Sequence, residues 1–186
     1  MAKLKLEKSS SIKIHDKVFE IFIDDKELED IIKKISEKIN KSNIIDPVFL
    51  VVINGAFLFA ADLIRKIKLK NLEVSFIKLA SYEGTESTGK VNELIGINQS
   101  IKNRNIIIVE DIIDSGITLE KLITLIDKEE VASLSIATLL FKPKAYKKSF
   151  AIDFIGKKIE NDFVVGYGLD YDELGRNLPC IYKLKE

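Results

Sequence analysis

The chain has 186 residues, enough for one domain with a sizeable hydrophobic core. Its 29 basic residues balance its 29 acidic residues, so bulk charge gives no reason to expect binding to nucleic acid. The single cysteine, Cys180, excludes an intrachain disulfide, and with no signal peptide at the N-terminus we expect a cytoplasmic protein. The longest apolar run is too short to span a bilayer, so no membrane partner is expected. With only one histidine, His15, any bound metal is expected to have oxygen ligands, as Mg²⁺ does.

Strand and helix patterns alternate through the middle of the chain. Asp24 or Asp25 can cap a helix whose apolar residues recur with helical spacing from Leu28 to Ile39. A second helix is predicted over Ala56–Ile67, and a third follows residue 118 with Leu119, Leu122, Ile123 and Ile126 on one face. Strands are predicted at Val18–Ile23, Val48–Ile53, Leu72–Ala80, Ile106–Val109, Ser133–Phe141 and Phe163–Tyr167.

This alternation predicts an α/β fold with a parallel-sheet core flanked by helices. We expect a single domain, with its core at about residues 40–150 and a small hood built from the N-terminal segment and about residues 151–186. Open parallel sheets bind ligands outside the carboxyl ends of their strands. Polar segments follow the predicted strands and should therefore meet at one edge of the sheet: Asn54-Gly55, Ser81–Lys90, Glu110–Thr118 and Lys142.

The segment 106–118 carries the most specific pattern. The apolar strand Ile106–Val109 runs into the acidic pair Glu110-Asp111, and Asp114 then opens a polar turn before a helix. Carboxylates at a strand end suit a metal ion or hydroxyl groups, and a turn before a helix offers free N–H groups to an anion. This order resembles the phosphoribosyl pyrophosphate signature of the type I phosphoribosyltransferases.

Residues 84–90 match most of a P-loop, but they do not predict a nucleoside triphosphatase. Val91 stands where a magnesium-binding Ser or Thr is needed, and no helical apolar spacing follows it. We therefore predict a surface loop over Ser81–Lys90.

The resemblance extends from about residue 50 to 182 and points to the hypoxanthine-guanine phosphoribosyltransferases. Residues 52–65 resemble their first active-site loop and helix, and Ser81-Tyr82 with residues 84–91 is similar to their flexible catalytic loop. The strand end at Lys142, residues 163–172 and residues 176–179 resemble their base-binding and pyrophosphate-binding segments. The resemblance implies a type I phosphoribosyltransferase domain that moves a phosphoribosyl group to N9 of a 6-oxopurine and releases pyrophosphate.

The resemblance also implies how phosphoribosyl pyrophosphate is held. Glu110 and Asp111 would hold the ribose hydroxyls directly or through Mg²⁺, with Asp170 near a second magnesium. Contacts to the 5′-phosphate would come from Ser115, Gly116, Ile117 through its N–H group, and Thr118. Pyrophosphate would be bound by Asn54, Gly55 and Arg176. Family members often have Lys in place of Asn54, a polar residue in place of Ile117 and a bulky one at Leu174-Gly175, and they often have a non-proline cis peptide near Asn54.

On the purine side, the resemblance makes Asp114 the general base at N7, although Asp is also a preferred helix N-cap. Lys142 would donate to the 6-oxo group, Phe163 would stack on the base, Val164 would contact it through its backbone, and Asp170 would lie near the exocyclic amine of guanine. The alternatives without a ligand are that Lys142 is an ordinary surface lysine and that Phe163 is a core aromatic.

Two alternatives keep the fold and change the function. A regulator that binds phosphoribosyl pyrophosphate and nucleic acid shares the 106–118 pattern, but it needs a basic face that the balanced charge does not suggest. A sibling transferase would use xanthine, adenine or a pyrimidine, and Lys142 argues against adenine. The family usually forms homodimers or homotetramers, and the helix after Gly55 offers an apolar face either to a partner or to its own core.

Overall fold

The computed structural model describes residues 10–79, 93–95 and 100–185. In these residues the strands are β1 Ser11–Ile14, β2 Lys17–Ile23, β3 Pro47–Val52, β4 Glu73–Leu79, β5 Glu93–Ile95, β6 Asn105–Ile113, β7 Ser133–Phe141, β8 Phe154–Lys158, β9 Val164–Val165 and β10 Ile181–Leu184. The α-helices are α1 Asp25–Asn40, α2 Phe57–Ile64 and α3 Ile117–Ile126, and a short 3-10 helix follows at Asp127–Glu129. None of the helices is long and apolar enough to span a membrane within the part of the chain that the structure describes.

A six-stranded sheet in the order β5-β4-β3-β6-β7-β8 forms the core. Strands β4, β3, β6, β7 and β8 are parallel, and only β5 pairs antiparallel, with β4. All six residues of β3 are buried, as expected for a strand that is covered on both faces. Val51 and Val109 face the layer of α1 and α2, whereas Leu50 and Ile108 face α3. The predicted parallel-sheet α/β fold is confirmed.

Helix α1 forms where its apolar spacing predicts it. Asp24 is its N-cap, because the carboxylate Oδ1 accepts a 2.8 Å hydrogen bond from the backbone N–H of Glu27. The buried face packs on the core sheet and contains Leu28, Ile31, Ile32, Ile35 and Ile39. Together with α2, the helix therefore covers one face of the core sheet.

A second sheet, the hood, comes from the two ends of the chain. Its order is β1-β2-β10-β9, with antiparallel pairs throughout. Its own small core includes Phe19, Val165, Cys180 and Tyr182. The division into a core at about 40–150 and a hood from about 151 onward stays a prediction, and β8 pairs with β7 in the core sheet.

Three predicted elements differ in extent. Strand β6 continues to Ile113, so Glu110 and Asp111 lie inside a strand, because the long β7 keeps pairing with it, Glu110 opposite Thr138. Helix α2 ends at Ile64, after which Lys66 and Ile67 donate to carbonyls three residues back and tighten the chain into a turn. The predicted strand 163–167 shrinks to Val164–Val165, because the backbone turns at residues 166 and 167 with φ of 98° and 52°.

Candidate active site

The carboxyl ends of β3, β6 and β7 meet at one edge of the core sheet. The turn after β3 holds Asn54-Gly55, residues 114–118 follow β6, and Lys142 follows β7. Backbone hydrogen bonds join the last two segments: the N–H of Lys142 donates to the Ile113 carbonyl at 2.9 Å. A pocket of about 250 Å³ opens here, lined by Glu110, Asp111, Ile112, Ile113, Asp114, Gly116, Thr118 and Leu119. The predicted convergence at the sheet edge is confirmed for these segments, while Ser81 and Tyr82 lie outside the described residues.

Two buried carboxylates mark the end of β6. Glu110 is 5% exposed and Asp111 is 9% exposed. Burial raises the pKa of Glu110 well above its ordinary value, and the neighbouring charges of Asp111 and Asp114 raise it further. Burial also raises the pKa of Asp111, to about 6, although backbone N–H groups and the Arg176 guanidinium act in the opposite direction. Successive residues of a strand face opposite sides, so the two side chains flank the strand end from its two faces.

Three backbone segments approach one another closely around Asp111. A β-carbon on Gly55 would lie 1.8 Å from Asp111 Oδ2, so only glycine allows the carboxylate to lie against this turn. A β-carbon on Gly168 would lie 2.1 Å from the Gly55 carbonyl oxygen, so the hood segment 166–170 rests directly on the same turn. The peptide bond between Ile53 and Asn54 is cis, within the turn where the resemblance implies one.

Arg176 and Asp170 complete this corner of the site. One guanidinium nitrogen of Arg176, Nη1, donates to the Gly168 carbonyl at 2.9 Å, and Nη2 forms a 2.8 Å ion pair with Asp170. The charges of both residues act on the Asp111 carboxylate. The structure thus brings together Gly55, Asp111, Asp170 and Arg176, which are far apart in sequence.

The turn after β6 presents the N-terminus of α3. Gly116 is the N-cap with φ of 80° and, as a glycine, offers no capping side chain, while the N–H of Ile117 lies 3.5 Å from Ser115 Oγ. A β-carbon on Gly116 would lie 2.6 Å from the Tyr146 ring, which shows how tightly this turn is enclosed. Asp114 is exposed and its carboxylate accepts a hydrogen bond from the N–H of Ser115. The interpretation of Asp114 as the helix N-cap is therefore wrong.

Two neighbours of this turn were not predicted from the sequence. Tyr146 and Lys148 both contact the space beside Gly116, and Lys148 Nζ forms a 2.7 Å ion pair with Glu120 of α3. They reach it because the chain turns back after β7, where the N–H of Tyr146 donates to the Lys142 carbonyl at 3.1 Å. A lysine-rich stretch without apolar periodicity looks like ordinary surface, so this contact has no local signature.

Phe163 lies in the hood and is 43% exposed. Its ring contacts Phe19 and Tyr171, with centroids 6.1 Å and 5.7 Å away. The interpretation of Phe163 as a buried core aromatic is therefore wrong. Val164 is buried beside it and pairs with Lys183 of β10.

Comparison with known proteins identifies the family. The model of the phosphoribosyl transferase domain matches residues 22–172. A hypoxanthine-guanine phosphoribosyltransferase of Staphylococcus epidermidis is 40% identical over 92% of this chain and 97% of its own length, and one of Staphylococcus aureus is 38% identical over the same shares. The chain belongs to the hypoxanthine-guanine phosphoribosyltransferases of the phosphoribosyltransferase family. As a family member it is a transferase.

Solved structures of this family share the fold. The crystal structure of a hypoxanthine phosphoribosyltransferase from Staphylococcus aureus superposes with a TM-score of 0.82 at 38% identity, covering 89% of this chain and 91% of that one. A hypoxanthine-guanine phosphoribosyltransferase from Bacillus anthracis, with a HEPES molecule in its active site, gives a TM-score of 0.81 at 37% identity over 91% and 99%. The arrangement of core sheet and hood is therefore that of the phosphoribosyltransferase family.

The donor set at the end of β6 fits the magnesium ion that the phosphoribosyltransferase family implies. In the described residues, no three Asp, Glu, His or Cys side chains lie close enough to hold a metal by themselves. Mg²⁺ commonly takes only one or two protein carboxylates and fills its other positions with substrate oxygens and water. A cation would also offset the burial of Glu110 and Asp111, whose carboxylates lose hydration where they lie.

We expect Asp111→Asn to stabilise the metal-free protein at pH 8. Because the folded state raises the pKa of Asp111 from 3.8 to about 6, the ionised carboxylate destabilises the fold above pH 6, and this penalty vanishes below pH 4. The variant should gain on the order of 1–3 kcal/mol at pH 8 in EDTA, measured by urea unfolding, and the gain should shrink as pH falls through 6 to 4. The exposed Asp30→Asn serves as the control. A gain at pH 4 as large as at pH 8 would contradict the assignment to burial.

Proposed function

We propose that this chain is a purine salvage enzyme. It transfers the 5-phosphoribosyl group from phosphoribosyl pyrophosphate to N9 of hypoxanthine or guanine and releases pyrophosphate with IMP or GMP. The observation that carries this proposal is the pocket at the end of β6, where two buried carboxylates and exposed Asp114 lie beside the N-terminus of α3, which begins at Gly116. The choice of hypoxanthine or guanine as the base rests on the similarity to the Staphylococcus hypoxanthine-guanine phosphoribosyltransferases.

Phosphoribosyl pyrophosphate is held from three sides. Its 5′-phosphate accepts hydrogen bonds from the turn of residues 115–118, from the hydroxyls of Ser115 and Thr118 and from N–H groups including those of Gly116 and Ile117. The ribose hydroxyls meet Glu110 and Asp111. Pyrophosphate lies between the turn of Asn54-Gly55 and Arg176, since Gly55 contacts both Asp111 and the hood segment that Arg176 braces.

Magnesium supplies charge neutralisation for the pyrophosphate and the ribose oxygens when it is bound. Among the residues here, Glu110 and Asp111 would hold one ion directly or through water, and Asp170 would lie near a second. Asp170 forms a 2.8 Å ion pair with Arg176 in the structure, and this pair keeps both side chains oriented before substrates arrive. On substrate binding, Asp170 would turn to the cation and Arg176 to the pyrophosphate.

The purine lies between the hood and the end of β7. Phe163 stacks on it, Val164 contacts it through its backbone, and Lys142 donates to the 6-oxo group. Asp170 lies near the exocyclic amine of guanine. Asp114 takes or shares the proton at N7, which requires an accessible carboxylate, and the side chain is exposed at the pocket.

The active enzyme is a homodimer or homotetramer in the cytoplasm. Phe57 of α2 is 42% exposed, and beside α2 lies a second pocket of about 510 Å³ whose mixed lining includes apolar Leu58 and Pro179 and charged Asp62 and Arg65. A partner subunit would cover Phe57 and this pocket. Light scattering of the purified protein should give a multiple of 21.0 kDa, and a mass of one chain at micromolar concentration would contradict the proposal.

We expect Asp114→Asn to lower kcat by about 100-fold or more, because proton transfer by a placed side chain contributes on that scale. Melting temperature should stay the same, since the carboxylate is exposed and does not cap α3. Asp127→Asn at the other end of α3 is the matched control and should retain full turnover. Unchanged kcat in Asp114→Asn would rule out its role as the base.

We expect Lys142→Ala to lower kcat/KM for hypoxanthine and guanine by about 10- to 100-fold, the usual loss for a charged hydrogen bond. Wild type and variant are assayed with phosphoribosyl pyrophosphate, magnesium and four bases in turn: hypoxanthine, guanine, xanthine and adenine. Exposed Lys144→Ala, two residues away and paired with Glu160, is the control.

Each outcome of this assay has a definite meaning. Wild-type turnover that is lost on adding EDTA supports both the activity and the magnesium ion. No turnover with any base would overturn the enzyme and favour a regulator that binds phosphoribosyl pyrophosphate. Unchanged hypoxanthine kinetics in Lys142→Ala would overturn the purine-reading role of Lys142.

A further inference from the structure

The turn between β1 and β2 reaches across the hood to the segment that follows Phe163. Tyr171 donates its hydroxyl proton to Asp16 Oδ1 at 2.9 Å. His15 Nε2 lies 3.2 Å from the Asp172 carbonyl, and its ring meets the Tyr171 ring edge-on with centroids 5.5 Å apart. Two independent contacts therefore join residues 155 or more positions apart.

Tyr171 in turn meets Phe163. The two rings are nearly perpendicular, at 86°, with centroids 5.7 Å apart, which is a favoured aromatic geometry. Both rings pack on fully buried Phe19, each at 6.1 Å. Lys17 Nζ lies 4.6 Å from the Tyr171 centroid and 5.5 Å from that of Phe163, so one ammonium group contacts both rings.

We infer that Tyr171, held by Asp16, is a positioning residue that fixes the Phe163 ring for stacking on the purine. This inference rests on the proposed role of Phe163. Phe163 is half-exposed and lies just before the two-residue strand β9, so the contacts of Phe19, Tyr171 and Lys17 hold its ring, and stacking on a base requires one orientation. Ordering the ring before the base arrives removes that cost from binding.

The sheet ladder alone does not account for these contacts. Strand β2 is already held by pairing with β1 and β10, and β9 is held by β10. The Asp16–Tyr171 hydrogen bond adds nothing to those ladders, because both side chains lie in turns outside them. A bond that only fastened the edge of the hood would leave purine binding unaffected, and this difference makes the inference testable.

The test compares Asp16→Ala, Tyr171→Phe and the double variant in steady-state kinetics. Each single variant should raise KM for hypoxanthine by about three- to tenfold, while KM for phosphoribosyl pyrophosphate and kcat stay within twofold. The double variant should have a KM for hypoxanthine no higher than that of the more affected single variant, because both substitutions remove the same hydrogen bond. Tyr171→Ala, which also removes the ring against Phe163, should raise the purine KM further. Melting temperatures of all variants are measured alongside.

Ser133→Ala is the matched control, since its hydroxyl makes a similar exposed hydrogen bond of 2.7 Å to Asn105 at the other end of β6 and β7. Unchanged purine KM in Tyr171→Phe and Asp16→Ala overturns the inference, as does an equal rise in both KM values, which would indicate general loosening. Phe163→Ala separates the two proposals. If it leaves purine KM unchanged, the stacking role itself fails, whereas a rise in Phe163→Ala alone overturns only the positioning role.

Discussion

The site depends on the close approach of three backbone segments around one buried carboxylate. Gly55 lies against Asp111, and Gly168 lies against Gly55, so neither glycine leaves room for a β-carbon. The core sheet supplies the first two segments and the hood supplies the third. Because Gly168 meets the backbone of Gly55, the relative position of sheet and hood at this corner is set by sterics that side-chain motion cannot relax. The same hood segment positions Arg176 and Asp170, since Arg176 donates to the Gly168 carbonyl and pairs with Asp170.

This arrangement has a thermodynamic cost. A carboxylate whose pKa rises on folding destabilises the folded state at neutral pH, and here two such groups lie next to each other at the end of β6. Natural cores pair or avoid buried charge, so the cost is tolerated where a cation or a substrate hydroxyl later supplies the missing partner. The two buried carboxylates therefore lower the stability of the free protein, and a ligand with positive charge or hydroxyl groups would bind more tightly because it removes this penalty.

The local pattern predicted much of the core, but it could not predict where elements end. Helical spacing and Asp24 located α1, and the apolar run from Ile106 located β6, because both signals lie within a few residues. The pattern ended β6 at Val109, since acids usually belong to loops, whereas pairing with β7 carries the strand to Ile113. The start of α3 likewise depends on Gly116 having a positive φ, which the residue type permits without requiring.

The hood was the least predictable part, and the reason is physical. Its strands are short, β9 has two residues, and its side-chain contacts join Asp16 to Tyr171 across most of the chain. No window of sequence contains both partners, so periodicity has nothing to detect. If the proposed roles hold, the work is divided: the carboxylates that would hold the sugar lie on β6 of the core sheet, and Phe163, which would meet the base, lies beside a sheet built from the chain ends. Changes around Phe163 would then alter base binding without altering Glu110 and Asp111 themselves, since Phe163 lies in the hood and the two carboxylates lie on β6.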